Sequence, residues 1–262
     1  HWVWASDGWL LGMGFRDFAG GAVVHVNAGV AAIVAALVMG NRKGFPEEPM
    51  PPHNLTITVA GASMLWVGWF GFNGGSALAS GGSAGMAILV THVSAAAGSL
   101  AWMTMEWVRF GKPSVLGIVT GMVAGLGTIT PASGFVGPAG ALVIGLIAGV
   151  VCFLATQFIK RKLKIDDSLD VFPVHGVGGF LGLLLTAPLS VYLGGLGLDD
   201  GQTVGGQFGV QLIGALATLV WCGLATFILL KIIGVVTPLR AEEDDERQGL
   251  DLTQHEERGY IL

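Results

Sequence analysis

The stretch DFAGGAVVHVNAGVAAIVAALVMG runs from Asp17 to Gly40 and carries no charged residue after its opening aspartate. About 20 consecutive apolar residues are enough for a helix to cross the hydrocarbon core of a bilayer. Two further stretches, Leu55 to Ser83 and Val115 to Gln157, likewise hold no Lys, Arg, Asp or Glu. The chain is therefore predicted to be an all-α integral membrane protein, a polytopic bundle of transmembrane helices.

The composition supports this class and argues against several others. Hydrophobic residues make up 52% of the 262 residues and charged residues only 12%, outside the usual range of soluble domains. The 43 glycines recur with alanine and serine in spacings that let membrane helices approach closely. Both cysteines, Cys152 and Cys222, lie in apolar runs, so we expect no disulfide framework, metal cluster or cofactor. The net charge of −5 argues against a nucleic-acid partner.

Windows of about 20 apolar residues define the predicted helices. They fall at 17–40, 55–75, 84–110, 114–130, 136–159, 170–188 and 206–236. Residues 1–236 are thus predicted to form the transmembrane domain and 237–262 a tail. All Lys and Arg residues except Arg16 fall on one face of this arrangement, and such an excess marks the cytoplasmic side. We therefore expect the N-terminus outside the cell and the C-terminus in the cytoplasm.

The chain begins with His1, and its first residues read as the end of a helix. Seven spans after an exoplasmic start would require the first residues to be translocated with no preceding helix. We expect further helices upstream of His1.

Two histidines, His25 and His175, lie inside predicted membrane helices. An ionisable side chain in the membrane is costly, so it usually faces the interior of the bundle and marks a transport path. The alternative is a structural pair of hydrogen-bonding histidines. His92 also lies in a span, and we interpret it as a packing residue.

An aspartate opens each of these helices, Asp17 before His25 and Asp170 before His175. A carboxylate at a helix N-terminus accepts backbone N–H bonds and complements the helix dipole, so a structural role is predicted for both aspartates. Asp170, with its neighbours Asp166 and Asp167, is also expected to compensate the basic run from Lys160 to Lys164. The two helices run in opposite directions, as in an inverted-topology repeat.

Three segments resemble, in order and spacing, the diagnostic helices of the ammonium transporter family (Amt/Mep/Rh). They are DFAGGAVVHVNAG at 17–29, WVGWFGFNGGS at 66–76 and DVFPVHGVGG at 170–179. The shorter motifs PHNL at 52–55 and GKPS at 111–114 agree. The resemblance covers nearly the whole chain. It implies an inverted-repeat fold of eleven helices, seven of them present here, assembled as a homotrimer in the plasma membrane.

The resemblance also implies roles for individual residues. His25 and His175 resemble the twin histidines of a narrow pore that passes ammonium or ammonia, and methylammonium is a further candidate substrate. Phe72 resembles an aromatic gate at the external mouth. Ser76 and Trp4 resemble the external cation site, although the stretch from Trp4 to Asp17 is one residue longer than the family pattern.

These residue types suit such a path. An unpaired ammonium ion in an apolar pore is costly, whereas aromatic faces and a hydroxyl outside the pore attract it. Taken singly, the same residues have ordinary interpretations: Phe72 as packing bulk, Ser76 as a small residue between helices and Trp4 as an interfacial anchor. The match of three segments in order favours transport over catalysis and over those interpretations.

Two other functions are left open by the sequence. A haem-binding redox protein would use His25 and His175 as iron ligands. An ammonium sensor of the same fold would use the pore for detection. The resemblance implies that the tail, 237–262, binds a trimeric PII-type signal protein, whereas its mixed charges alone predict only a solvated end.

Overall fold

The structure, a computed structural model, describes residues 1–260, and in that range every regular element is helical. Seven helices are long and apolar enough to cross a membrane. We number them α1 (Gly21–Met39), α2 (Leu55–Gly75), α3 (Gly82–Phe110), α4 (Val115–Ala132), α5 (Pro138–Lys162), α6 (Phe172–Leu189) and α7 (Val204–Val236). The predicted class and the predicted number of spans are confirmed.

The first and sixth helices begin later than predicted, at Gly21 and Phe172 rather than at Asp17 and Asp170. In both cases a residue with positive φ stands just before the helix, Gly20 at 117° and Asp170 at 57°. Backbone in that region cannot continue a right-handed helix. The aspartates therefore lie in the turns that lead into the helices.

Helices α3, α4 and α5 pack against one another through small residues. A Cβ on Gly98 of α3 would lie 2.4 Å from the carbonyl oxygen of Gly121 in α4. A Cβ on Gly145 of α5 would lie 2.3 Å from the carbonyl oxygen of Ser94. The glycines thus allow the close backbone approach that membrane helices use for packing.

Helices α1, α6 and α7 form a second group around Val26, Leu183 and Ala215, all buried. Phe15, from the segment before α1, packs on Gly214 of α7, where a Cβ would clash with its ring. The Gln211 side chain accepts a hydrogen bond from the Arg16 backbone N–H and donates one to the Arg16 carbonyl. These contacts attach the segment before α1 to α7.

The predicted tail lies against the loop that follows α1. It contains two short helices, α8 (Glu243–Gln248) and α9 (Leu250–His255), and its last two residues lie outside the described range. Arg240 donates to the backbone oxygen of Asn41 at 2.8 Å and pairs with Glu246. Lys43 pairs with Glu243. These contacts attach the described part of the tail to the loop after α1.

Candidate functional site

The two membrane histidines, 150 residues apart in sequence, contact each other directly. Their Nδ1 atoms are 3.1 Å apart, and their ring centroids are 5.2 Å apart with the planes inclined by 22°. A neutral imidazole has one donor and one acceptor nitrogen, so one ring donates this hydrogen bond and the other accepts it. The Nε2 atom of His25 is buried and has no partner among the described residues. One nitrogen of the pair thus keeps an unused hydrogen-bonding position inside the bundle.

Each histidine lies in a π-helical turn at the start of its helix, Gly21–Val26 in α1 and Phe172–Gly176 in α6. Such turns are rare and are frequent at functional sites. In α1 the turn follows directly from the carboxylate of Asp17. That carboxylate is buried and accepts hydrogen bonds from four backbone N–H groups, those of Gly20, Gly21, Ala22 and Val23. Asp17 therefore accepts backbone N–H bonds at the start of its helix, as its predicted structural role requires.

The equivalent position in α6 belongs to Asp167 and not to Asp170, which corrects the sequence prediction. Asp167 accepts hydrogen bonds from the backbone N–H groups of Val171 and Phe172. The left-handed backbone at Asp170 turns its carboxylate towards Lys160, whose Nζ lies 2.9 Å away. Asp170 therefore compensates the basic run, as predicted, but does not cap the helix.

Asp166 compensates a different cation from the one expected. Its carboxylate receives two hydrogen bonds from the Arg42 guanidinium, each 2.8 Å long. This contact holds the pKa of Asp166 below its usual value. The pair links the loop after α1 to the loop before α6, the two helices that carry the histidines.

Trp69 of α2 completes the histidine site and was not among the predicted site residues. Its ring stacks on His25 at 5.2 Å and 15° and lies nearly parallel to His175 at 6.4 Å. The side chain is buried, and its Nε1 donates to the hydroxyl of Thr130 in α4 at 3.0 Å. The available signal was its spacing, three residues before Phe72 on the same helical face.

A cavity of about 320 Å³ opens beside the three rings. It is lined by Val24, His25, Ala28, Leu65, Gly68, Trp69, Phe72 and His175. The Phe72 ring lies 6.3 Å from His25 and 5.8 Å from Trp69. Apart from the imidazoles and the indole, the lining side chains are apolar, so the histidines are the groups that can exchange hydrogen bonds with a molecule in this space.

Trp4 and Ser76 do not line this cavity. The Ser76 hydroxyl donates to the backbone oxygen of Phe72 at 2.8 Å, at the end of α2. The Trp4 indole is half exposed and donates to the backbone oxygen of Asp17 at 2.7 Å. The structure thus brings together three of the predicted site residues, His25, His175 and Phe72. The pairing of Trp4 with Ser76 stays a prediction.

His92 lies elsewhere, on α3. Its ring stacks on Trp66 at 5.1 Å and packs against Phe70 at 5.9 Å, both on α2. It is not part of the cavity lining, in agreement with its interpretation as a packing residue.

The geometry argues against haem ligation by His25 and His175. An iron atom would have to stand between two ligand nitrogens, but the facing Nδ1 atoms are in hydrogen-bond contact. Trp69 covers one side of the pair by stacking on it. The arrangement is that of a hydrogen-bonded pair flanked by an aromatic ring.

Comparison with known proteins confirms the resemblance over nearly the whole chain. Residues 1–260 match the family described as Ammonium Transporter Family. The chain is 46% identical to the ammonium transporter Amt1 of Archaeoglobus fulgidus, covering 99% of this chain and 66% of that protein. It is 44% identical to the ammonium transporter of Bacillus subtilis, over 99% of this chain and 64% of that protein.

Solved structures show the same fold. A protein described as Sensor Amt Protein superposes with a TM-score of 0.88 at 34% identity, covering 97% of this chain and 65% of that one. Mep2 of Saccharomyces cerevisiae superposes with a TM-score of 0.82 at 38% identity, covering 93% of this chain and 57% of that one. The chain thus spans about two thirds of the length of the relatives it matches. By its sequence over residues 1–260 and by its fold, the chain belongs to the ammonium transporter family.

Proposed function

We propose that the protein carries ammonium, as the ion or as ammonia, across the cell membrane along a path centred on His25 and His175. The observation that carries this proposal is the direct contact between the buried imidazole of His25 and the partly buried imidazole of His175, beside a cavity whose other lining is apolar and aromatic. Such a place is unfavourable for a bare cation and favourable for a small neutral molecule with hydrogen-bonding groups.

The imidazole pair has a specific use on this path. One Nδ1 donates to the other, so each neutral ring keeps one further nitrogen for ammonia or for a moving proton. Trp69 keeps the two rings nearly parallel to its own plane, and its indole N–H is already bonded to Thr130. The rings are therefore held in position while their free nitrogens remain available.

Phe72 is proposed as the gate at the external side of the cavity, since its ring contacts both His25 and Trp69. Ser76 follows one turn later, at the C-terminal cap of the same helix. With Trp4 it is proposed as the external site, where an aromatic face and a hydroxyl oxygen would attract the cation before it loses water.

The function is tested by uptake of labelled methylammonium into cells that lack endogenous ammonium transporters. The protein is expressed there in its natural form. Uptake above that of cells without the protein is expected. The alternative of an ammonium sensor is favoured by the similarity to the Sensor Amt Protein. Normal insertion with ammonium binding but no uptake would support the sensor and reject the transporter.

The same assay separates the gate from the external site. Phe72→Ala removes the ring that contacts His25. We therefore expect altered selectivity between methylammonium and potassium. Ser76→Leu removes an acceptor and adds bulk at the mouth, so we expect a raised KM. If both variants change only the amount of protein in the membrane, α2 has a packing role at these positions.

A homotrimer, a cytoplasmic C-terminus and a PII-type partner are proposed from the family resemblance. The tail lies on the same side as most basic residues and is attached to the loop after α1 through Arg240. It therefore presents α8 and α9 as a surface for a protein partner. Binding of PII in a pull-down is expected to be lost when residues 237–262 are deleted. Binding that survives the deletion would place the partner elsewhere.

A further inference from the structure

Two glutamines of α7, one turn apart, form a connected pair inside the bundle. Gln207 is 1% exposed and Gln211 is fully buried. The side-chain N–H group of Gln207 donates to the amide oxygen of Gln211 at 3.1 Å and to the backbone oxygen of Gly14 at 3.0 Å. Neither glutamine lines the histidine cavity. Because burial of an amide is costly unless it is hydrogen-bonded, the partners of this pair indicate what the pair holds in place.

The Gln211 amide uses all of its hydrogen-bonding positions. Its oxygen accepts from the Arg16 backbone N–H at 2.8 Å and from Gln207 at 3.1 Å. Its nitrogen donates to the Arg16 carbonyl at 2.7 Å and to the Leu183 carbonyl of α6 at 3.1 Å. A primary amide has two donor hydrogens and an oxygen with two lone pairs, so each of them has a partner here. The bonds also define the orientation of the amide, since the Arg16 N–H requires an acceptor and the two carbonyls require a donor.

Through these bonds one side chain of α7 connects the helices that carry the two histidines. Arg16 precedes Asp17, whose carboxylate accepts the N–H groups of residues 20–23 at the start of the π-helical turn that contains His25. On the other side, Leu183 lies about two turns after His175 on α6. Gln211 therefore joins the backbone that leads into one histidine helix to the backbone of the other.

The Arg16 backbone and the Arg16 side chain are held by different parts of the protein. The guanidinium donates to the Gly197 carbonyl at 2.7 Å and pairs with Asp199, whose side chain is 74% exposed. Within residues 1–260, Gln211 is the hydrogen-bond partner of both backbone groups of Arg16. The external loop thus holds the side chain, whereas Gln211 holds the main chain that continues into Asp17.

We propose that Gln211 is a positioning residue for the transport path, because its amide fixes the Arg16–Asp17 backbone relative to α6 and thereby the contact between the two imidazoles. This inference rests on the proposed function. A hydrogen bond between ring nitrogens tolerates displacements of only a few tenths of an ångström, so a fixed polar anchor suits this place. An apolar side chain of similar size would fill the volume but leave buried backbone groups without partners.

The test is a double-mutant cycle on methylammonium uptake with Gln211→Met and His25→Ala. Methionine is close to glutamine in length but forms none of the four hydrogen bonds. We expect Gln211→Met alone to lower uptake roughly 10-fold, as buried backbone groups lose their partners. If Gln211 acts through His25, the double variant should lose no more uptake than His25→Ala alone. A general packing defect would instead add to the effect of His25→Ala.

The matched control is Thr218→Val, two turns further along α7. Thr218 is also buried and polar, but its hydroxyl donates to the Gly214 carbonyl of its own helix at 2.8 Å. Its removal leaves the backbone before α1 untouched, so uptake should remain close to that of the unmodified protein.

A second readout does not depend on transport. NMR of isotope-labelled histidine in the vesicle-reconstituted protein shows whether the two Nδ1 atoms share a hydrogen bond, with signals assigned from the single histidine variants. We expect Gln211→Met to shift the Nδ1 signals of His25 and His175 towards those of unpaired imidazoles. Thr218→Val should leave them unchanged.

Gln211→Glu keeps the test decisive if the methionine variant fails to insert. A buried carboxyl group takes up a proton and then retains one donor, so part of the anchor survives. We expect this variant to lose uptake about 3-fold, less than the methionine variant, and to shift the Nδ1 signals less.

Unchanged Nδ1 signals in both Gln211 variants would overturn the inference, whether or not the protein transports methylammonium. Unmodified uptake in these variants, or additive losses in the cycle with His25→Ala, would overturn it as well. If the unmodified protein shows no uptake while Gln211→Met still shifts the Nδ1 signals, the proposed function is rejected and the positioning of the rings by Gln211 is supported.

Discussion

His25→Ala and His175→Ala are each expected to lower methylammonium uptake by about 10- to 100-fold, or to change the transported species, without preventing insertion. Each substitution removes one half of a hydrogen bond between the buried ring of His25 and the partly buried ring of His175. The remaining imidazole loses its partner in an apolar surrounding, which costs about 1–3 kcal/mol. Since the proposed path passes these rings, that cost falls on the transported molecule as well as on the resting protein.

The matched control is His92→Ala, because His92 is a membrane histidine stacked on aromatic rings outside the cavity. Uptake, membrane abundance and thermal unfolding are measured for all three variants. If the His92 variant loses as much uptake as the other two, the effect reflects packing in general. Wild-type rate and selectivity in both the His25 and His175 variants would refute the assignment of the pair to the path.

The transmembrane helices were predictable because the membrane imposes a simple requirement. A backbone in hydrocarbon must satisfy its hydrogen bonds internally, so long uncharged runs become helices. The predicted and observed ends agree within about three residues at most positions. The largest difference, at the start of α1, has a cause in the turn before the helix. The buried Asp17 carboxylate gathers four backbone N–H groups and fixes the turn before the helix.

The exchange of roles between Asp167 and Asp170 shows where residue patterns stop being informative. Both are aspartates near the start of one helix, and either could accept its free N–H groups. The choice depends on the left-handed backbone at Asp170 and on the position of Lys160, which belongs to the preceding helix. Neither can be read from the local sequence.

Trp69 illustrates a different limit. Its spacing from Phe72 was visible, but α2 also carries Trp66 and Phe70. Which of these aromatic faces meets the histidines depends on the rotation of α2. In the structure that rotation places Trp69 on the histidines, with its indole bonded to Thr130 of α4, and places Trp66 and Phe70 on His92. A contact between distant helices therefore selects the ring that completes the site.

The distance between the two histidines depends on a close crossing of α1 and α6. A Cβ added to Gly29 would lie 2.3 Å from both the Cα and the nitrogen of Gly176. The residue beside Gly176 is His175, and one turn before Gly29 stands His25. Main-chain atoms cannot yield as a flexible side chain would, so any side chain at Gly29 must move one helix relative to the other.

We therefore expect Gly29→Ala to reduce uptake about as strongly as loss of a histidine, roughly 10-fold or more, although it alters no polar group. Overpacking of this kind costs about 1–3 kcal/mol. A separation of the helices by about 1 Å would lengthen the 3.1 Å contact between the Nδ1 atoms beyond hydrogen-bond range.

Gly61→Ala on α2 is the matched control, because a Cβ there meets nothing within 4 Å. Both variants are compared for uptake, membrane abundance, thermal unfolding and selectivity against potassium. Normal uptake by a well-inserted Gly29 variant would show that the helix crossing does not set the histidine spacing. A loss of uptake with the Gly61 variant unaffected, and with abundance maintained, would make the Gly29–Gly176 crossing the element that holds the two rings in contact.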